Sequence, residues 1–422
     1  MNNWKRTSLG NFISLQRGYD LTSEERKPGS IPVFGAAGHN GFHNEIKVKG
    51  PGIVVGRSGG SFGQAHFVKE DFWPHNTAMF VSDFKGNNVL FTFYLLKSLD
   101  FSNLNSGSAQ PSLNRNYLYD FPVFVPSVED QQKIASILSA IDDKIELNNK
   151  INAELEGMAK LMYDYWFVQF DFPYDFRQDK PADETSNAKD VKPYKSSGGK
   201  MVWNKELKRE VPEGWGSASL LDIAIFDNGL ACQKFRPMEG ENSYPVIKIR
   251  EMRDGITPST ERASIKIPKK NLIDDGDILF SWSASLEVMQ WTGGKGALNQ
   301  HIFKVHSKKY PKSFYYMEVK SYLKHFKMIA ELRKTTMGHI TIDHLKQSRI
   351  VLPPFEIIKE LDKLLEPIFE QQLVLDKQNQ ELSEKRDWLL PMLMNGQVRV
   401  DRNYELKDSE IGMAAEPGEK YN

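Results

Sequence analysis

LNRNYLYDFPVFVPSVEDQQKIASIL (113–138) and ITIDHLKQSRIVLPPFEIIKELDKLL (340–365) align residue for residue at a separation of 227 positions. Each passes through a short apolar run to a proline and then into apolar residues spaced by three and four. Outward from this pair the same order returns. Trp4, Leu9 and Gly18 have counterparts at Trp215, Leu220 and Gly229, each 211 positions on. GPGIVVGRSG (50–59) resembles DGDILFSWSA (275–284): a glycine turn, a short apolar strand, then small polar residues. Asn76 and Phe80 match Asn299 and Phe303 at an offset of 223. Four blocks in constant order, with an offset that grows slowly, are what loop insertions in a duplicated unit produce.

Each copy has two parts. The first mixes short β-like runs with glycine turns and one helical stretch. Strands are expected at Ile31–Phe34, Ile53–Gly56, Ala65–Lys69, Val246–Arg250, Asp277–Ser281 and His301–Val305, and helices at Phe91–Leu99 and Ser313–Leu332. The second part is a long helix. Ser127 is placed to cap the first, with Asp130 three residues later. Its seam runs Ile134, Leu138, Ile141, Ile145, Asn148, Asn152, Leu155, Met158, Met162 and Tyr165, the spacing of a coiled coil. The second seam is Leu361, Leu365, Ile368, Gln372, Leu375, Asn379, Leu382, Arg386, Leu389 and Leu393. Asn152 and Asn379 are equivalent, and buried polar residues of this kind fix register. Pro367 is expected to kink or fray the second helix. Helices of about 40 residues would each run about 60 Å, antiparallel, with the globular units at opposite ends of a rod.

Bulk properties narrow the function. Hydrophobic residues are 40% and charged residues 26% of 422, as in packed soluble proteins. No apolar run reaches a membrane span and the N-terminus has no apolar signal core. Cys232 is the only cysteine, so disulfides within the chain and cysteine-based metal sites are excluded and a reducing cytoplasm fits. Lys+Arg and Asp+Glu both total 55, which argues against attachment to nucleic acid by bulk charge alone. No P-loop spacing, HExxH or other metal spacing is present, so no metal or cofactor is expected. Leu352-Pro353-Pro354-Phe355 resembles a methyltransferase motif, but its leucine cannot hydrogen-bond an amino group, and it reads as a helix start. Asp142-Asp143-Lys144 reads as a solvated helix face rather than a nuclease site.

Loops are where DNA contacts are expected. Arg57, Ser58, Gly59 and Ser61 form a flexible turn with one arginine able to bond guanine bidentately and hydroxyls suited to phosphate. Ser281, Trp282 and Ser283 follow the equivalent strand of the second copy. Gln110, in the loop before the first long helix, is suited to adenine, and Lys334, Thr336 and His339 lie in the corresponding second loop. Arg115 and Lys295 complete the DNA-binding set. Tyr163, Tyr165, Trp166 and Trp388, on the long helices, are read as core or partner contacts.

With these features in place, the chain closely resembles the specificity subunit of type I restriction-modification systems. VEDQQKIASILSAIDDKIELNNKINAELEGMAKLMYDYWFVQFDF (128–172) is similar to that family's central conserved region and LSEKRDWLLPMLMNGQV (382–398) to the distal one. Trp215, in VPEGWGSASLLDIA, resembles the entry to a target-recognition domain. The resemblance implies an α+β protein with two similar α/β target-recognition domains and two long helices in an antiparallel coiled coil, related by a pseudo-two-fold internal repeat. Its parts would be target-recognition domains at 1–125 and 211–352, helices at 126–170 and 353–400, a polar linker at 171–210 and a polar tail at 401–422. It further implies double-stranded DNA with a bipartite target, two modification (adenine methyltransferase) subunits holding S-adenosylmethionine, and an ATP-dependent restriction subunit. The chain itself would carry no catalysis. The alternatives are a coiled-coil scaffold with no DNA role, which does not account for two loop-rich units, and a lone DNA methyltransferase or nuclease, against which the missing motifs speak.

Overall fold

The computed structural model describes residues 4–104, 112–332 and 339–400. They fall into two compact units, one built from the chain up to Ile145 and again from Glu381, the other from Glu146–Gln380.

The first unit opens with β1 (Lys5–Ser8), α1 (Leu9–Phe12) and β2 (Ser14–Arg17). It continues through β3 (Ile31–Gly35), β4 (Gly38–His43), β5 (Gly52–Gly56), β6 (Ala65–Val68), β7 (Trp73–Pro74) and β8 (Ala78–Asp83). Then come α2 (Val89–Ser98), α3 (Arg115–Tyr119), β9 (Pro122–Val125) and the long helix α4 (Val128–Tyr163). The strands form a sheet β2-β8-β5-β6, a sheet β4-β3-β7 and the pair β1·β9. β5 is buried along its whole length. Ile53 and Val55 enter the main core with Leu9, Leu15, Met79 and Phe91, while Val54 on the other face joins Val68, Phe72 and Phe80. Alternate residues of one strand thus fill two cores, as the pleat requires.

Between the repeats the second unit carries β10 (Pro173–Asp175), β11 (Lys180–Pro181), β12 (Val191–Pro193) and the hairpin β13 (Met201–Asn204)–β14 (Arg209–Pro212). The repeat proper runs β15 (Gly216–Ala218), α5 (Leu220–Ile223), β16 (Ile225–Asn228), β17 (Ser243–Ile247), α6 (Ile249–Asp254), β18 (Arg262–Ser264), β19 (Leu272–Ile273) and β20 (Ile278–Ser281). It ends with β21 (Glu287–Gln290), β22 (Gly296–Leu298), β23 (Ile302–His306), α7 (Lys312–Leu332), α8 (Ile342–Gln347), β24 (Ile350–Leu352) and α9 (Phe355–Met394). Its sheets are β16-β23-β20-β21, β18-β17-β22-β19 and β15·β24. The first and last repeat the arrangement of the first unit strand for strand, so the duplication read from sequence is a duplication of fold.

The structure sets the repeat register one residue away from the sequence alignment. Gly18 N–H donates to Ala78 O and Gly229 N–H to Ile302 O, both at 3.0 Å. The β-bridge Tyr19↔His75 likewise corresponds to Leu230↔Asn299. His75, not Asn76, is therefore the counterpart of Asn299, and Met79, not Phe80, that of Phe303. Both glycines are obligatory: a Cβ on Gly18 would lie 2.2 Å from His75 O, and one on Gly229 2.1 Å from Asn299 O.

The long helices start as read. Asp130 N–H donates to Ser127 Oγ at 3.2 Å, and the Ser127 hydroxyl returns a bond to Asp130 at 3.0 Å. Within the second unit, Asn148 Nδ2 donates to Asn379 Oδ1 (2.9 Å), Asn152 Nδ2 to Asp376 Oδ1 (2.6 Å) and Gln372 Nε2 to Asn152 O (3.1 Å). Within the first, Arg386 donates to Asp142 at 2.9 Å. Within the second unit partner numbers fall as α4 advances, so the helices pair antiparallel there.

Three expectations are corrected. Residues 171–210 are not an unstructured linker: they contribute to two small sheets, and Phe172 and Tyr194 are buried in the core of the second unit. Stacking of Phe172 on Tyr194 and Trp215, with centroids 4.8 and 5.2 Å apart, supplies the apolar contact that the Lys- and Asp-rich composition conceals. Pro367 does not fray α9, which stays helical from Phe355 to Met394. An interior proline costs about 3 kcal/mol, but Leu365, Ile368 and Phe369 flank it in the core, each contributing about 1.5–3 kcal/mol by burial. Finally, β17 stops at Ile247 and the chain turns into α6, because Glu251 caps the helix by accepting from Lys248 N–H at 3.2 Å.

Candidate nucleic-acid interface

In each unit the second strand of the four-stranded sheet ends in a loop that three backbone features fix. In the first unit, Arg57 N–H donates to Thr77 O (3.0 Å), and Arg57 O accepts from Leu113 N–H (2.8 Å). In the second, Trp282 N–H donates to His301 O (3.2 Å), and Trp282 O accepts from Ile340 N–H (2.9 Å). The glycine contact at Gly18 or Gly229 closes the same end of the sheet. Arg57 and Trp282 are therefore equivalent positions, as are Arg17 and Asn228, Thr77 and His301, and Ser112 and His339. These positions bring together one strand end, one inter-strand turn and the segment before the short helix α3 or α8.

The side chains differ. Arg57 is half-buried; its Nε is inaccessible and has no hydrogen-bond partner among the described residues. The loop beyond it folds back through Gly63 N–H to Gly56 O (2.7 Å), and Gly59 and Gly63 take φ of +82° and +79°, where a side chain would be strained. Gly56 cannot carry a Cβ, which would meet Ser61 O at 2.1 Å. Ser58 bridges to Ser112, and Arg115 lies exposed at the start of α3. Thr77 Oγ1 holds Ala36 N–H at 3.2 Å and lies 3.1 Å from His75 Nδ1.

In the second unit the Trp282 ring lies 5.4 Å from His301, 5.6 Å from His339 and 5.9 Å from Phe303. Its Nε1–H donates to Asn228 Oδ1 at 3.0 Å, which fixes the indole plane. His301 Nδ1 is inaccessible and has no partner among the described residues. A buried polar atom without a partner costs about 1–3 kcal/mol, so both Arg57 and His301 gain if a ligand supplies one.

The structure does not place every expected residue here. Ser281 is fully buried; its hydroxyl donates to Ser285 O (2.6 Å) and accepts from Glu287 N–H (2.9 Å), so it closes a turn. Ser283 is 3% exposed. Neither serine is available to DNA, because alternation along the strand turns inward both neighbours of Trp282. Lys295 is exposed but sits in the turn before β22, at the opposite end of β20 from Trp282: the register pairs Gln290 with Ile278 and Glu287 with Ser281. Gln110, Lys334 and Thr336 lie outside the described residues. Arg17, Thr77, Asn228 and His301 were not foreseen; the repeat shows them once its register is set by hydrogen bonds.

The helix aromatics divide. Tyr163 and Trp166 belong to the core of the second unit, 4% and 8% exposed, and are not partner contacts. Tyr165 and Trp388 are 37% and 60% exposed. With Met158, Leu161 and Val168, Tyr165 makes an exposed apolar line at spacings of three and four along α4 and its continuation Asp164–Val168. Among the described residues no cluster of three potential metal ligands occurs, and no helix is long and apolar enough to cross a membrane.

Comparison with known proteins agrees with the doubled architecture. The chain matches the family described as Type I restriction modification DNA specificity domain over residues 1–157 and again over 212–384. It is 26% identical over 328 residues to the type I restriction enzyme MjaIX specificity subunit of Methanocaldococcus jannaschii, covering 74% of this chain and 69% of that one. It is 26% identical over 463 residues to the HindI specificity subunit of Haemophilus influenzae, covering 94% and 100%. In fold it is similar to the crystal structure of the type I restriction-modification system S subunit from M. genitalium, with a TM-score of 0.59 at 15% identity and coverage of 93% and 96%.

Proposed function

Because the chain belongs to the family of type I restriction-modification DNA specificity subunits, we propose that each unit reads one half of a bipartite DNA target. Arg57, Ser58, Gly59, Ser61 and Arg115 face the first half, and Trp282 and His339 the second, with Gln110, Lys334 and Thr336 in the adjoining loops and Lys295 limited to phosphate contact at the far end of its sheet. The reading rests on one observation: two equivalent loop positions, held by the same backbone hydrogen bonds, carry unlike side chains. A common frame with variable contents is what sequence readout requires, since phosphate contacts position a protein and base contacts specify.

In this reading the long helices set the spacing between half-sites and dock two modification subunits, which supply S-adenosylmethionine and the methyl transfer to adenine. The exposed line Met158–Leu161–Tyr165–Val168 on α4 and its continuation, and Trp388 on α9, are the docking candidates. With a restriction subunit the complex cleaves unmodified DNA after ATP-dependent translocation. This chain contributes recognition and no catalytic group.

The test is co-expression with the modification subunit, followed by genome-wide mapping of methylated adenines. The expected result is one split motif, one half of which changes when residues 1–125 are exchanged and the other when 211–352 are exchanged. A stable complex that methylates nothing would favour the scaffold reading instead.

A further inference from the structure

One small core of the second unit is built from Cys232, Val246, Ala263, Ile267 and Ala297, with Leu230, Phe235 and Leu272 packed against it. Two single turns sit on this core, Cys232–Lys234 and Lys269–Asn271. They carry Lys234, Lys269 and Lys270, all exposed and none in an ion pair among the described residues. By contrast Lys248, Arg250, Arg253 and Lys266 nearby in the chain face the carboxylates of Glu261, Glu251, Asp254 and Glu241 at 2.5–3.8 Å. The three lysines are left without such compensation.

The second turn is fixed on both sides. Asn271 N–H donates to Pro268 O at 2.9 Å, and the Asn271 side chain, in a residue only 3% exposed, sends Nδ2–H to Asn228 O at 2.8 Å. The next carbonyl, Leu272 O, accepts from Lys304 Nζ at 3.2 Å, and Lys304 is itself paired with Asp277 at 2.7 Å. Asn228 is also the residue whose side chain orients the Trp282 indole. It thus holds the aromatic plane through its amide oxygen and the lysine turn through its backbone carbonyl. β16 and β20 both run antiparallel to β23, so Asn228 and Ser281 end their strands at the same edge of the sheet. Lys234 reaches that edge through the bridge Leu230↔Asn299.

The first unit differs here. The parallel pairs Val33↔Trp73 and Val246↔Ala297 correspond, and with the pairs Val48↔Phe72 and Ile273↔Gly296 they make Val48 the counterpart of Ile273. Asn44 and Glu45 then stand at the places of Lys269 and Lys270, an amide and a carboxylate for two ammonium groups. Glu45 pairs with Lys47 at 3.7 Å, and Lys47 lies over the Trp73 ring at 4.7 Å.

Resting on the reading of the Asn228–Trp282 edge as a DNA interface, we infer that Lys269 and Lys270, with Lys234, hold phosphates flanking the second half-site, a hold that the first unit lacks at this place. An ammonium acts on phosphate as a point charge and carries no base preference. These lysines are positioning residues: they set the duplex against Trp282 and make affinity for the second half depend on salt, while the target sequence stays the same.

The full chain in complex with its modification subunit, titrated onto a duplex bearing the motif it methylates at several salt concentrations, tests this. Each neutralised phosphate adds about −0.9 to the slope of log K against log salt. Lys269→Ala and Lys270→Ala should each flatten that slope by about 1, with the mapped motif unchanged. Lys270→Arg should keep the slope, and so should Lys205→Ala in the turn of the β13–β14 hairpin. Methylphosphonates placed along the second half-site should reveal a phosphate whose neutralisation weakens the unaltered complex but not the Lys269→Ala complex. An unchanged slope in both lysine variants, or an equal fall from Lys205→Ala, would overturn the inference and leave the recognition reading standing. Relaxed sequence preference in the second half would overturn it too, because that reports disturbed folding rather than a lost phosphate contact. If the unaltered complex shows no preference for its motif, the recognition reading falls and this inference with it.

Discussion

The two candidate recognition loops share a backbone and differ in chemistry. Around Arg57 stand a second arginine, a threonine and a serine; around Trp282 stand an asparagine and two histidines. The frame that holds them is made of N–H···O=C bonds and a glycine packed on a carbonyl, none of which depends on a side chain. Side chains at the four positions are consequently free to change without loss of fold. The first loop offers directed charge and an unsatisfied guanidinium nitrogen. The second offers an aromatic plane whose N–H is already engaged by Asn228. A base contacted there would meet apolar surface, which suits a thymine methyl, whereas Arg57 suits guanine. The interiors differ as well: among the described residues the buried carboxyl groups, Asp171, Asp175, Glu251 and Glu318, all belong to the second unit.

That last contrast gives the largest expected effect. Burial pushes Glu318 up to about 8, partly offset by a hydrogen bond from Tyr163. Its folded-state pKa lies above the unfolded value, so the folded chain holds a proton that the unfolded chain has released. Stability is then lost as pH rises from about 4.5 to about 8, by at most about 5 kcal/mol. Thermal unfolding from pH 5 to pH 9 should show this decline, and Glu318→Gln should flatten it; an unchanged slope would break the contrast between the units. Next, Arg57→Ala should cost about 1–3 kcal/mol in DNA affinity, read as relaxed methylation at one base pair of the first half-site only. Arg57→Lys should not restore it, because an ammonium cannot make the bidentate contact. Trp282→Ala should lower occupancy of the second half-site about tenfold while Trp282→Phe retains most of it, since the contact is apolar. Equal loss at both half-sites would mean that the substitution acts on folding. The smallest effect is expected from Asn228→Ala. It removes one neutral hydrogen bond worth about 1 kcal/mol and should weaken the second half-site about fivefold, as measured by gel shift with half-site variants.

Much of the fold was legible because it rests on periodicity. The seam of α9 and of α4 as far as Leu155, the Ser127 cap and the repeated Gly18 and Gly229 are local patterns with one physical meaning each; beyond Leu155 the seam reading fails, since Met158 and Tyr165 are exposed while Ala159 and Tyr163 are buried. The register of the repeat was not, because Asn76 and Asn299 look alike in sequence while only the bridges to Tyr19 and Leu230 show which residues correspond. The segment 171–210 was misread because its buried aromatics, Phe172 and Tyr194, are too far apart to make a period, and they meet only in three dimensions. In the candidate site the loop positions were legible from the glycine-rich turn after an apolar strand. Burial was not: Ser281 and Trp282 are adjacent in sequence, and alternation along a strand sends one inward and leaves the other at the surface.

The division of α4 and α9 between the units bears on the order in which the chain can fold during synthesis. The second core draws its last residues from Ile357–Phe369, whereas the first is completed only by Leu390, Leu393 and Met394. Although its strands precede those of the carboxyl-terminal unit in the chain, the amino-terminal unit receives its last core residues after the carboxyl-terminal one has received Ile357–Phe369. The usual sequence, in which the leading domain folds while the rest is still being made, is therefore reversed here for the contacts that Leu390, Leu393 and Met394 make with the core of Leu9, Ile53 and Phe91.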